Sequence, residues 1–405
     1  MATSHAWAFR ASFRRGAFGW SGTRKAMLRL NEAVSEIERM ARADPALAGE
    51  GAVLLLEKLS PAVSGIDSSS GALGNATAGV VERMVPLIAA APVPRRVREK
   101  WLERLLAAIH DDDPPYIESL GEHWGALCAD PELASHWADE LLPLVQRVMA
   151  DRRKGTYAYA RSGTLCYSAL FQAGRFDELL AVLALDPKPY WHDQRWAAKA
   201  LAARGDIDGA VNLMEGLRGR HAPDSALSAV AEQLLLDAGR VEDAYVRYGI
   251  QATSANTNIA TYRATAKRYP GVAPGRILGD LIASTPGEEG KWFAAAKTLK
   301  QYDLALALAR RASVDPKTLV RAARDQVRSQ PTFALEVALM ALHWMARGVG
   351  YELTSVDVCG AHEHALAAAD SLGLASSVRE RIAEHVAGQG ASALWVRQCL
   401  GFVPG

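Results

Sequence analysis

GRFDELL at residues 174–180, GDIDGAV at 205–211 and GRVEDAY at 239–245 are copies of one pattern, and KQYDLAL at 300–306 is a degenerate fourth copy. Each copy runs glycine, polar, apolar, acid, any residue, apolar, apolar, with Lys300 replacing the glycine in the last. Equivalent positions lie 31 residues apart (174 to 205) and 34 apart (205 to 239). This period, with a turn signal in every copy, is typical of stacked helix–turn–helix repeats.

The residue types in each copy suit a turn between two helices. Glycine takes positive φ at little cost and therefore ends the first helix. The acid three positions later falls in the first turn of the second helix, where the helix dipole favours negative charge. Small and apolar residues stand four, five and eight positions before each turn, the spacing of one helical face. A weaker copy occurs at Tyr269-Pro270-Gly271. The pattern predicts an all-α fold, an α-solenoid of antiparallel helix hairpins of the tetratricopeptide or HEAT kind.

Composition agrees with a helical protein that has a large core. The 405 residues are 49% apolar and 22% charged, and the formal net charge is +1. This balance argues against a chain devoted as a whole to nucleic acid or membrane. No apolar run approaches the length of a membrane span, and the N-terminus lacks the apolar core of a secretory signal. The four cysteines lie far apart, so we expect no disulfide framework and a cytoplasmic location.

Breaks in the pattern divide the chain into four predicted parts. Residues 1–31 form a basic, aromatic N-terminal segment, residues 32–150 a helical sub-domain, residues 151–346 the repeat array, and residues 347–405 the capping helices. Asn31 is expected to cap the first helix, and Pro61 is expected to end the second. The charged, glycine-broken stretch 151–155 marks the start of the array.

The N-terminal segment has three interpretations. Residues 1–31 contain no acid but six basic residues, Arg10, Arg14, Arg15, Arg24, Lys25 and Arg29, interleaved with aromatics, Trp7, Phe9, Phe13, Phe18 and Trp20. Such an arm can bind nucleic acid or a phosphorylated partner. An arginine-rich, acid-poor start is also typical of an organelle transit peptide. In the third interpretation the aromatics dock onto the first helices and the basic groups are solvated or paired.

A candidate partner-binding site lies between the first two repeat turns. The sequence PKPYWHDQRW at 187–196 brings two tryptophans, a histidine and an arginine to the start of a helix. The first helix of each hairpin often lines the concave face of a solenoid, and aromatic and arginine side chains are common binding anchors. We therefore predict that Trp191, His192, Arg195 and Trp196 contact a partner. The alternative is that both tryptophans fill the core under a proline-shaped loop.

A second cluster supports another class of function. Basic and aromatic residues follow one another at Arg152, Arg153, Lys154, Tyr157 and Tyr159. Together with the basic N-terminal segment they predict, as the alternative, a nucleic-acid-associated protein.

Catalytic and metal-binding motifs are absent from the sequence. It contains no nucleophile elbow, zinc-protease helix, phosphate-binding loop or calcium loop, so we predict no enzyme activity and no cofactor. His110, Asp111 and Asp113 form one candidate metal cluster, and Cys359, His362 and His364 form another. Adjacent residues seldom all face one ion, and zinc sites usually show two close ligand pairs. Metal binding at either cluster stays open.

Three stretches resemble a family of uncharacterised bacterial proteins of about this length. They are FRRGAFGW at 13–20, DSSSG at 67–71 and STPGEEGKWF at 284–293. The resemblance covers nearly the whole chain and implies a bacterial protein whose basic N-terminus belongs to the domain. It implies no activity. The turns themselves resemble tetratricopeptide turns, although the usual first-helix consensus of that family is missing.

The sequence therefore predicts a cytoplasmic, non-enzymatic helical-repeat scaffold. It is expected to bind a protein or peptide on a concave surface, without contacting a membrane.

Overall fold

The computed structural model describes residues 5–156, 161–187, 189–219 and 222–402. These residues form helices and connecting turns, with no strand among them, which confirms the all-α prediction. The α-helices are α1 (Thr23–Ala41), α2 (Pro45–Val63), α3 (Ala72–Ala90), α4 (Arg95–His110), α5 (Trp124–Cys128), α6 (Pro131–Arg153), α7 (Ser162–Gln172), α8 (Phe176–Leu183), α9 (Trp191–Ala203), α10 (Ile207–Glu215), α11 (Asp224–Asp237), α12 (Val241–Ala244), α13 (Ile250–Ala252), α14 (Asn258–Arg268), α15 (Pro274–Ala283), α16 (Phe293–Thr298), α17 (Tyr302–Arg311), α18 (Pro316–Gln326), α19 (Pro331–Ala346), α20 (Ser355–Ser371), α21 (Val378–His385) and α22 (Ala391–Cys399). Over the described ranges no helix is long and apolar enough to cross a bilayer.

The chain divides into two compact units. The first comprises Met1–Pro223 with Gln233–Gly239, and the second comprises Asp224–Glu232 with Arg240–Gly405. The four predicted parts of the chain remain a prediction. In the first unit, helices adjacent in the chain pack together from α1 to α3 and from α4 to α10, while α4 packs on α2 and α3 packs on α5. Helix α7 contacts α5, α6, α8 and α9.

The N-terminal segment packs onto the first two helices. Trp7, Phe9, Phe13 and Phe18 are buried and follow one another at ring-centroid distances of 5.5, 6.2 and 6.0 Å. The backbone N–H groups of residues 8 and 9 donate to the Glu36 carboxylate at 2.8 and 3.1 Å. Four of the five aromatics are thus buried, as expected if the aromatics of this segment dock onto the first helices. The fifth, at position 20, is 72% exposed.

Helix α2 accepts this segment because it carries a glycine at the contact. A Cβ atom on Gly51 would lie 2.3 Å from Cζ2 of Trp7, so only glycine lets the indole rest on the helix backbone.

Two sequence predictions about this region are wrong. Helix α1 begins at Thr23 rather than after Asn31, and α2 continues through Pro61 to Val63. The backbone N–H of Gly16 donates to the Pro61 carbonyl at 2.9 Å.

The four repeat turns share one backbone geometry. Gly174, Gly205, Gly239 and Lys300 have φ angles of 71°, 90°, 74° and 60°. In three copies the backbone N–H of the residue after the turn position donates to the backbone carbonyl five residues earlier in the chain. The donors are residues 175, 206 and 301, the acceptors are residues 170, 201 and 296, and the distances are 2.9 to 3.0 Å. This is the closure expected of a left-handed C-terminal cap. The acid of each copy lies in the first turn of the next helix, as predicted.

The face that precedes each turn is buried. Almost every predicted position there is covered; those buried are Cys166, Ala169, Leu170, Ala197, Ala200, Ala231, Leu234, Leu235, Trp292, Ala295 and Ala296. Leu201 is half-buried. The weaker copy differs, because Gly271 does not adopt the left-handed conformation, yet α14 and α15 still form a contacting pair on either side of it.

In the second unit, one helix lies at the centre of the C-terminal packing. Helix α19 contacts α17, α18, α20, α21 and α22. Its side chains are buried on nearly all sides, and it contains no charged residue other than Glu336. A helix that is apolar all round must be enclosed by others. This part of the chain is therefore grouped around α19 instead of following a strict pairwise order.

Candidate functional site at the start of helix α9

Three aromatic rings meet where helix α9 begins. Tyr190 precedes the helix in an extended conformation, and Trp191 and His192 are its first two residues. The Tyr190 ring stacks on His192 at 6.1 Å and lies 6.2 Å from Trp191, while the Trp191 and His192 rings meet edge-on at 5.6 Å. Tyr190 is 58% exposed, and the other two are half-buried. We call these three residues the aromatic surface.

A carboxylate from a distant part of the chain holds two residues of this region. Glu122 belongs to a 3-10 turn, Glu118–His123, that precedes α5. Its Oε1 lies 3.1 Å from Nε2 of His192 and accepts a hydrogen bond from Nη2 of Arg195 at 3.0 Å. The guanidinium carbon of Arg195 lies 5.8 Å from the centroid of the Trp191 ring. Charge pairing and ring stacking thus fix the orientation of the aromatic surface.

The backbone that carries Glu122 is itself fixed by helix α7. The buried hydroxyl of Ser168 donates to the Glu122 carbonyl at 2.9 Å and accepts from the backbone N–H of Gly125 at 3.0 Å. A Cβ atom on Gly125 would approach the Ser168 carbonyl oxygen to 2.3 Å, so glycine is required for this contact. Helices α5, α7 and α9 are therefore connected through one carboxylate and one hydroxyl.

The charge state of Glu122 argues for a structural role. Burial alone would raise the pKa of this carboxyl, but hydrogen bonds from His192 and Arg195 and the guanidinium charge outweigh it and lower the pKa to about 2. A carboxylate that stays ionised at neutral pH and is already paired is a weak proton acceptor. The cluster consequently acts as a clamp on Arg195 and His192.

The remaining predicted contact residue has a different environment. Trp196 is buried, and its ring lies 5.9 Å from Phe171 of α7. Lys199 places its Nζ 4.3 Å from the Trp196 centroid, and burial lowers the pKa of that ammonium. Trp196 therefore fills core between α7 and α9, as the alternative interpretation expects for this residue, and does not join the aromatic surface.

The basic cluster at 152–154 is engaged within the fold. Arg152 pairs with the buried carboxylate of Asp186, and Arg153 donates to the Leu185 carbonyl at 3.0 Å. Lys154 lies 3.3 Å from Asp151. Tyr157 and Tyr159, the aromatic members of this predicted site, lie outside the described residues.

At neither candidate metal cluster do three or more histidine, cysteine or acidic side chains come close enough together to hold a metal ion, within the described part of the chain. Around the first cluster, His110, Asp111 and Asp113 are exposed, whereas the buried Asp112 accepts backbone N–H groups of residues 116 and 117 at 3.0 and 2.7 Å. In the second, Cys359 is exposed on α20 and both histidines of that helix are half-buried.

Sequence reasoning missed Glu122 and Ser168. Glu122 lies 73 residues before Arg195. It looks like any surface acid, so no local pattern distinguishes it. Comparison with protein-family models and with curated proteins finds no match for this chain. The resemblance to the uncharacterised bacterial family remains a prediction.

Proposed function

We propose that the chain is a non-catalytic helical-repeat protein that binds a peptide or protein segment at the aromatic surface. The partner presents an apolar side chain that covers the Tyr190 and Trp191 rings. The observation that carries the proposal is a group of three rings, one exposed and two half-buried, beside a charged clamp formed by Glu122 from a distant part of the chain.

Rigid exposed aromatics suit this role. Tyrosine and tryptophan supply a large contact area with few rotatable bonds, and they are enriched among residues that dominate binding energy. Tyr190 lies beside the proline at 189, and its phenol remains largely in water. A ring exposed in this way stays available for contact with a partner.

The repeated hairpins support the finer proposal that the central helices form an α-solenoid with a concave binding face. The pairs α7/α8, α9/α10 and α16/α17 each pack across a left-handed turn, and α7 also contacts α9. First helices of successive hairpins therefore adjoin in the first unit, as in repeat proteins. In this proposal α9 supplies the binding surface from its first turn.

We also propose a cytoplasmic location. All four cysteines are free thiols, and two of them are buried, which is compatible with a reducing compartment.

The test is selection of peptides from a displayed random library on the full chain. Peptides that bind the wild type are then measured against Tyr190→Ala and Trp191→Ala. We expect at least tenfold weaker binding to each variant, because hot-spot truncation costs about 2 kcal/mol or more. Tyr351→Ala is the matched control, since Tyr351 is 80% exposed and lies in the other unit.

Two results would contradict the proposal. One is that no peptide is enriched over an empty support. The other is that selected peptides bind Tyr190→Ala as tightly as the wild type and Tyr351→Ala.

Nucleic-acid association remains the alternative function. Its support now rests on the N-terminal segment, because the cations at 152–154 are engaged within the fold. Binding through several phosphates would weaken sharply between about 50 and 200 mM salt. A filter-binding assay with a single-stranded oligonucleotide at both salt concentrations tests it.

A further inference from the structure

An open pocket lies between the N-terminal segment and helix α2. Its volume is about 730 Å³, within the range of pockets that hold small organic ligands. Trp7, Phe13 and Pro61 contribute apolar surface to its lining. Trp7 is seated on Gly51, and the backbone N–H groups of residues 8 and 9 donate to Glu36, so the backbone on this side of the pocket is held against helices α1 and α2.

The polar part of the pocket is strongly basic. Arg10, Arg14, Arg15 and Lys58 all line it. Within the described ranges, none of these four side chains forms an ion pair or a hydrogen bond with the protein. Three of them are exposed, and Lys58 is half-buried.

One acid lines the pocket, but it is already paired. Glu57 accepts from Nη2 of Arg104 at 2.7 Å, and the same guanidinium bonds Glu50 at 2.8 Å. Elsewhere the fold pairs its arginines in a similar way, as between Arg83 and Glu38. Arg10, Arg14, Arg15 and Lys58 thus bring four cations to one concave surface. Like charges so placed repel one another, and a bound anion would relieve that repulsion.

We propose that this pocket binds the phosphate groups of a nucleotide-sized organic anion. Arginine recognises phosphate oxygens through paired N–H donors, and lysine adds a mobile point charge. A phosphomonoester carries about 1.5 to 2 negative charges at neutral pH, so four cations match a di- or triphosphate better than a single carboxylate. The half-buried Pro61 and the exposed Ala6 and Ala11 also line the pocket, and they offer an apolar surface to the organic part of the ligand.

The same phosphate chemistry occurs in single-stranded nucleic acid, but the charge distribution favours a compact ligand. Binding an extended strand usually requires a basic groove that follows the backbone, with aromatic rings free to stack on bases. Here the rings of Trp7 and Phe13 are buried, and two other cations of the segment, Arg24 and Lys25, do not line the pocket.

Isothermal titration of the full chain with ATP, tripolyphosphate and a (dT)12 oligonucleotide tests the inference. We expect ATP to bind, and tripolyphosphate to bind at least tenfold more weakly because it lacks the organic part. The double variant Arg14→Ala/Arg15→Ala should weaken ATP binding at least tenfold. The matched control Arg24→Ala/Lys25→Ala removes two exposed cations of the same segment outside the pocket and should bind ATP like the wild type.

Three outcomes would overturn the inference. The first is that neither ATP nor tripolyphosphate binds at 50 mM salt. The second is that the control double variant loses as much ATP affinity as Arg14→Ala/Arg15→Ala, since the effect would then come from general charge. The third is that (dT)12 binds more tightly than ATP and is weakened equally by both double variants, which would assign the segment to nucleic acid. Circular dichroism confirms that each variant is folded.

Discussion

Replacing Glu122 by glutamine removes the charge of the clamp while keeping its shape. The pKa of this carboxyl falls from an ordinary 4.5 to about 2 because the bonds from His192 and Arg195 outweigh burial. At about 1.36 kcal/mol per pH unit, this drop corresponds to at most about 3 kcal/mol of folding stability. The variant should therefore lose about 2–3 kcal/mol at pH 7.

The sign of the pH dependence follows from the lowered pKa. A carboxyl whose pKa is lower in the folded state binds fewer protons there, so it stabilises the fold above its unfolded pKa. For Glu122 the contribution is complete above about pH 5 and is lost as the pH falls towards 2. At pH 3 about 1 kcal/mol should remain. The difference between wild type and variant should thus shrink by about 2 kcal/mol between pH 7 and pH 3.

Urea unfolding at both pH values, followed by circular dichroism and tryptophan fluorescence, measures this difference. Glu140→Gln is the matched control, because it neutralises an exposed acid in helix α6 of the same unit. The control should change stability by less than about 0.5 kcal/mol at either pH. A Glu122→Gln variant as stable as the wild type at pH 7, or a difference that does not shrink at pH 3, would refute the clamp.

Three further predictions concern packing, turns and thiols. Gly51→Ala should destabilise the first unit by about 1–2 kcal/mol in urea unfolding, because overpacking against the indole exceeds the gain in helix propensity. Gly79→Ala, in a helix with open space at that position, should instead stabilise by about 0.5–1 kcal/mol. Lys300→Gly should raise the stability of the second unit by about 0.5–1 kcal/mol, since it relieves a left-handed backbone at a non-glycine residue. Iodoacetamide at pH 7.5 should modify the exposed Cys359 but leave Cys128 unmodified until urea is added. The reason is that burial raises the pKa of the Cys128 thiol to about 12. Mass spectrometry measures the extent of modification at each cysteine.

The turns were predictable from sequence because their chemistry is local. A glycine, an acid three residues later and an apolar pair specify a left-handed helix end and the start of the next helix within seven residues. The structure places Lys300 in the same conformation as the glycines, so the degenerate copy was correctly aligned. The packing around α19 was not predictable in this way, since it depends on which of several apolar helices come together.

The first helices show where local signals fail. Pro61 has the sequence signature of a helix end, yet α2 includes it. A proline near the last turn removes one backbone donor, and this loss is tolerated when packing holds the helix. Asn31 is a good capping residue, but burial of Ala26 and Leu30 favours helix from Thr23 onward. In both cases tertiary contacts outweigh a local preference.

The sequence predicts part of the arrangement at the start of α9, and the binding role of these residues stays a prediction. The sequence placed aromatic and basic residues at the start of α9, where the structure has them, because prolines and a polar stretch mark that helix start. It grouped Trp196 with Trp191, whereas helical spacing turns Trp196 towards Phe171. Glu122 could not be assigned, because its role depends on a contact across 73 residues of chain.

The most direct test of the central claim is site-specific photo-crosslinking at the aromatic surface. Tyr190→p-benzoylphenylalanine and Tyr351→p-benzoylphenylalanine variants are each irradiated with a selected peptide, and the crosslinked product is quantified by mass spectrometry. Both positions are exposed, and position 351 is the more exposed of the two, at 80% against 58%, so access alone would favour attachment at 351. If the aromatic surface is the binding site, the peptide attaches at position 190 and not at position 351. Equal attachment at both positions, or attachment at 351 alone, would contradict it.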